Sequence, residues 1–150
     1  MARRHARSSA PVYKATPKER IAAALAPVEA RIIALQRRPE DGEVAEFVRM
    51  LGRDVLDLTA MNLDLEDMLA LVGLLDDQVC VSNTNVHLAA TRGRTCRLLI
   101  PHPPEFRWMA RGDESPWFPG MRVYRQAPDG DWQGAMDDLA RELTQTYAAR

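Results

Sequence analysis

The stretch that decides the fold runs Gln78-Val79-Cys80-Val81-Ser82-Asn83-Thr84-Asn85-Val86-His87-Leu88-Ala89-Ala90. Its first five residues, with β-branched Val79 and Val81, read as a strand. Ser82, Asn83, Thr84 and Asn85 then gather the side chains that accept hydrogen bonds from the free N–H groups of a helix start. The helix that follows stops at Gly93. A strand that runs directly into a capped helix is half of a βαβ unit.

The same alternation recurs on both sides of this stretch. Upstream, Pro17 opens a short helix with Ile21 and Leu25 on one face, ended near Pro27. Residues 31–36 form a short apolar run between charges and read as a buried strand. Asp41 and Gly42 precede a helix whose Val44, Phe47, Val48 and Leu51 recur at i, i+3, i+4 and i+7, with Gly52 as its stop. Residues 55–58 read as a strand. Asn62 or Asp64 caps a helix striped by Leu65, Met68, Leu69 and Val72. Downstream, residues 96–100 read as a strand closed by Pro101, and residues 101–120 as an ordered irregular loop rich in Pro and Trp. Residues 121–126 read as a fifth strand. After the turn Pro128-Asp129-Gly130, Asp131 caps a last helix with Trp132, Met136, Leu139, Leu143 and Tyr147 on one face. The fold class expected is α/β: a Rossmann-like parallel sheet of about five strands with helices on both faces. Such sheets bind ligands beyond the carboxyl ends of their strands, where strand order reverses.

Composition fits this reading. The chain has 150 residues, 46% apolar and 27% charged, which suits one globular domain over residues 17–150 and excludes collagen-like and disulfide-framework classes. No apolar run approaches the roughly 20 residues of a membrane span. The net charge of −1 argues against a uniformly basic nucleic-acid binder. Charge is uneven: residues 1–20 carry a net +5, leaving −6 for the rest. Residues 1–16 read as a disordered basic tail, and no apolar core of a secretory signal follows its arginines. Cys80 and Cys96 sit in apolar runs and read as inert core thiols. With three scattered histidines they show no metal-ligand spacing, so neither metal nor cofactor is expected. The expected compartment is the cytoplasm.

The helix start at residues 82–87 is the main candidate for chemistry. Unpaired N–H groups and the helix dipole favour an anion there. Ser82, Thr84 and Asn85 add polar atoms, and His87 lies one turn in. From local chemistry alone, an ordinary cap with a structural histidine is the better reading, because many helices begin this way. The carboxylate pairs Asp76-Asp77 and Asp137-Asp138 read as solvated neighbours, and no catalytic residue is assigned.

A family resemblance changes the weighting. The segment Val81-Ser82-Asn83-Thr84-Asn85-Val86-His87-Leu88-Ala89-Ala90 is similar to the V-D-T-x-V-A-H-L-A-G pattern of GT-B glycosyltransferase C-terminal halves. Leu98-Leu99-Ile100-Pro101 matches their next strand. Pro104-Glu105-Phe106-Arg107-Trp108, Ser115-Pro116-Trp117-Phe118-Pro119 and Arg122-Val123-Tyr124-Arg125-Gln126 resemble their P-D-W-R-W, S-P-W-Y-P and R-L-F-R-Q segments. Gly130-Asp131-Trp132 matches a G-D-W that opens the final helix. The chain most resembles the heptosyltransferases and the tetratricopeptide-linked bacterial relatives of O-linked N-acetylglucosamine transferases, over residues 30–145.

The resemblance implies an incomplete GT-B C-terminal domain that binds a nucleotide-sugar diphosphate through Thr84, Asn85 and His87, with Ser82 and Asn83 shaping the turn. It also implies sugar or nucleotide contacts from Trp108, Asp113 and Trp117. Asn83 stands where the family has Asp, and Asn85 where it has a small residue. No central first strand with its glycine loop precedes Arg31; Ala10-Pro11-Val12-Tyr13-Lys14 is short and carries Pro11. The acceptor half is absent, and with it the cleft that transfer requires. Autonomous catalysis is therefore not expected. A companion acceptor domain or protein chain is, together with marginal stability or association through an open sheet edge. The competing reading is a non-catalytic protein-interaction module, or a gene fragment, derived from a glycosyltransferase.

Overall fold

All five apolar runs become strands, each shorter than its run. In the computed structural model, which describes residues 16–147, β1 is Ile32–Ala34, β2 Val55–Asp57, β3 Val79–Val81, β4 Arg97–Ile100 and β5 Arg122–Arg125. The helices are α1 Lys18–Leu25, α2 Glu43–Leu51, α3 Leu65–Leu74, α4 Thr84–Thr91 and α5 Gln133–Tyr147. The expected tail falls almost wholly on residues 1–15, outside the described residues.

Local chemistry sets the helix ends. Asp64, not Asn62, caps α3: its Oδ1 accepts from the amides of Glu66 at 2.8 Å and Asp67 at 3.1 Å. Gly52 ends α2 at φ +72°, where its N–H donates to the Val48 carbonyl at 3.0 Å. Asp131 Oδ1 accepts from the Gln133 amide at 3.1 Å as α5 begins. A 3-10 segment, Thr59–Leu63, separates β2 from α3.

Every ladder is parallel. Ile32 of β1 stands opposite Val55 of β2; Val79 of β3 stands opposite Arg97 of β4, which stands opposite Arg122 of β5. The expectation of one five-stranded sheet needs correction here, because the strands divide into a pair, β1-β2, and a triplet, β3-β4-β5. α1 packs against both α2 and α5, and among the described residues β1 and β3 do not pair with each other.

The strand pleat sorts the core into two layers. On one face Leu99 and Tyr124 pack with Trp132, Met136, Leu139 and Leu143 and with Ala24 of α1. On the other, Leu98, Ile100 and Val123 pack with Val86 and Ala89 of α4 and with Trp108. α3 lies beside α4 in that second layer and buries Met68 and Val72. Cys96 is buried in it and Cys80 packs against it. A hydrogen bond with the Cys96 thiol, then burial, push the Cys80 thiol up, away from the reactive thiolate.

Ion pairs tie α5 to the amino ends of β4 and β5. Glu142 accepts from Arg122 at 2.8 Å and from the Tyr124 hydroxyl at 2.7 Å, while Arg97 pairs with Asp77 at 2.6 Å. The Arg122 hydrogen bond holds the Glu142 carboxyl below its usual range. Among the described residues, no helix is long and apolar enough to cross a membrane.

Candidate functional site

The site is assembled where β3 ends and α4 begins. Asn83 takes extended backbone, and its Oδ1 accepts from the Asn85 amide at 2.9 Å. An aspartate would make the same bond and add a negative charge. The cap leaves the Thr84 and Val86 amides of the first turn without a partner among the described residues. Thr84 is half-buried, and its Oγ1 accepts from Arg37 Nη1 at 3.4 Å. Arg37 follows β1, so a cation from one sheet reaches the helix start of the other.

Asn85 points inward and is 5% exposed. Its Nδ2 donates to Asn62 Oδ1 at 3.2 Å, and Asn62 Nδ2 donates to the carbonyls of Leu35 at 3.0 Å and Thr59 at 3.1 Å. Asn62 thus links the end of β1 to the start of α4. Ser82 is also buried; its hydroxyl donates to Glu105 Oε2 at 3.4 Å, and Glu105 is paired with Arg107. Of the five predicted donor-site residues, Thr84 and Asn83 face outward, whereas Ser82 and Asn85 hold the turn from within.

His87 leans on an aromatic wall. Its ring meets Phe118 edge-on at 5.2 Å, and Phe118 stacks on Trp108 at 5.0 Å. Trp108 is fully buried, so it supports this wall and is not at the surface as a sugar-contacting residue would be. Trp117 is 62% exposed and meets exposed Phe106 edge-on at 6.4 Å. It also lines a cavity of about 250 Å³ with Gly93, Arg94 and Thr95, beyond the far end of α4. Asp113 pairs with Arg122 at the amino end of β5. The structure therefore gathers residues 82–87 at one end of the sheet and leaves Asp113 at the other.

One side chain fastens the loop that carries this wall. The Arg125 guanidinium donates to the carbonyls of Met109 and Gly112, both at 2.8 Å, to Arg111 at 3.3 Å, and to Trp108. Gln126 adds a second fastening, accepting from the His102 amide at 2.9 Å and donating to the Gly130 carbonyl at 2.7 Å. Ser115 Oγ donates to the Arg107 carbonyl at 2.5 Å and accepts from the Trp117 amide at 3.1 Å.

Sequence reasoning missed Arg37, Asn62, Glu105 and the roles of Arg125 and Gln126. A cation directly after a strand's carboxyl end was a usable signal for Arg37; nothing local marked the others. Among the described residues, no group of three or more His, Cys, Asp or Glu is placed to hold a metal ion. Comparison with protein-family models, with curated proteins and with solved structures gives no match.

Proposed function

We propose that the chain is a donor-binding half domain of GT-B type, Rossmann-like in plan, which takes the diphosphate of a nucleotide sugar at the start of α4 and is not catalytic alone. The observation that carries this is the pair of open first-turn amides at Thr84 and Val86, with Arg37 against Thr84 Oγ1. Backbone N–H groups, a helix dipole and a guanidinium converge there on the space an anion would fill. The motif resemblance over residues 79–132 supports the same reading. In this reading, Asn83 caps without repelling a phosphate, and His87 adds a ring nitrogen one turn further on. The reading is of a cytoplasmic protein that works with a companion acceptor domain.

A helix terminus contributes about 0.3–2 kcal/mol toward an anion, short of the about 4 kcal/mol that a Kd of 1 mM requires, so binding in the millimolar range needs the Arg37 and nucleoside contacts as well. Titration of UDP, ADP and GDP into labelled protein tests it. The amide resonances of residues 83–86 should move first, and Arg37→Ala should weaken the response several-fold. No movement of these amides at millimolar nucleotide overturns the reading.

A second reading, a non-catalytic protein-interaction module, is favoured by the exposed Phe106–Trp117 pair. A partner retained by the double variant Thr84→Ala, His87→Ala but lost with Trp117→Ala supports it over donor binding.

A further inference from the structure

The far end of α4 opens on a cavity of about 250 Å³, beside the amino ends of β4 and β5. α4 runs Thr84–Thr91, so at 1.5 Å per residue about 12 Å of helix separates this cavity from the helix start. The two places are distinct, and a molecule in the cavity does not compete for the first-turn amides.

The cavity combines an aromatic ring with fixed polar groups. Trp117 lines it and is 62% exposed, whereas Trp108 and Trp132 are buried. An indole kept in water forgoes the stabilisation of burial. This one is nevertheless held in place: its amide donates to the Oγ of buried Ser115 at 3.1 Å, and Phe106 meets its ring edge-on at 6.4 Å. Arg94 and Thr95 add a guanidinium and a hydroxyl. Two of the five Arg94 N–H groups anchor it, with Nε and Nη2 donating to the Gly73 carbonyl at 3.1 and 2.5 Å. Gly120, at φ +80°, lies so close that a Cβ there would stand 3.0 Å from Thr95 Cγ2. The last carbonyls of α4 add hydrogen-bond acceptors beside the cavity. Ala90 and Met121 supply apolar surface.

Size and charge select the occupant. The volume lies below the roughly 300–1,000 Å³ of sites for drug-sized ligands, so it suits a single ring. The carboxyl ends of α3 and α4 carry partial negative charge, and the anchored Arg94 fork is turned to a carbonyl, which together disfavour an anion. A neutral pyranose meets every requirement. The C–H bonds of one ring face carry partial positive charge and match the negative face of an indole. Its hydroxyls both donate and accept. We propose that this cavity is a carbohydrate-binding site for one neutral pyranose unit, stacked on Trp117 and hydrogen-bonded to Thr95 and Arg94. The site stands independently of diphosphate binding.

The test is a resonance titration of the isotope-labelled full chain with glucose, galactose and N-acetylglucosamine. The Trp117 indole N–H and the amides of residues 93–95 and 120–121 should move with a Kd in the millimolar range, while the amides of residues 83–86 stay still. Trp117→Ala should weaken binding about fivefold or more. Thr95→Val keeps the methyl group against Gly120 and should weaken it roughly threefold. Trp117 is exposed and Thr95→Val nearly isosteric, so unchanged unfolding transitions are expected of both variants. A still Trp117 resonance with all three sugars overturns the proposal, as does unchanged affinity in Trp117→Ala. A response to glucuronate or inorganic phosphate alone overturns it in favour of an anion site. Sugar-induced movement confined to residues 83–87 assigns the sugar to the helix start instead. A protein partner lost with Trp117→Ala, without any response to sugar, assigns the surface to that partner.

Discussion

Asn62→Ala removes a side chain that bonds both to Leu35, after β1, and to Asn85, after β3. Three hydrogen bonds are lost: to Leu35 at 3.0 Å, to Thr59 at 3.1 Å and from Asn85 at 3.2 Å. Each is partly buried, and a typical bond of this kind contributes about 0.5–1.5 kcal/mol net. The Asn85 side-chain amide, 5% exposed, is left without its acceptor, which moves the total toward the upper half of that range. The expected loss is about 3 kcal/mol, or roughly 6–12 °C in Tm for a chain of this size. Thermal unfolding followed by circular dichroism measures it. A double-mutant cycle with Asn85→Ala isolates the bridge. A coupling energy of about 1 kcal/mol is expected, because the partners touch. Strict additivity of the two variants would show that Asn62 is not coupled to Asn85 and does not link β1 to the start of α4.

Two further outcomes follow from the ion network and the loop fastening. Arg125→Ala should release residues 108–112 and cost about 2–4 kcal/mol. Most of the loss comes from the partly buried Trp108 carbonyl, because water replaces the exposed bonds. Tryptophan emission should shift red, and Arg125→Lys, with one point donor in place of a fork, should rescue less than half; an unshifted spectrum counts against it. Because the carboxyl of Glu142 lies below its usual range when folded, its contribution is present above the unfolded value and lost as pH falls through the folded one. Urea unfolding across that acid window should therefore show a shallower stability slope for Glu142→Gln than for the parent chain, and identical slopes refute the assignment.

The elements were legible because their signals are local. Five apolar runs, Gly52 and the polar cluster at residues 82–85 fixed strands, a helix end and a helix start without reference to distant residues. The division of the described strands into a pair and a triplet was not legible, because ladder pairing joins elements far apart in sequence. At the site, Asn83 as cap was readable from its neighbours. Asn62 was misread as a cap candidate because Asn and Asp compete for that role, and only tertiary placement shows that Asp64 takes it. Trp108 and Trp117 carry the same side chain and end in opposite environments, one sealed under α4 and one open. Composition cannot separate them; the reach of Arg125 across 13 to 17 residues of sequence does.

That reach has a consequence in time as well as in space. Four consecutive-region carbonyls share one guanidinium, so any bond that opens singly leaves the others to hold the strand of chain within a few ångströms of its place. Reclosure then outpaces escape. The segment releases only when all its ties let go together, as a latch does. Its amides should exchange with one common rate, slower than the nanosecond flicker of an untied loop.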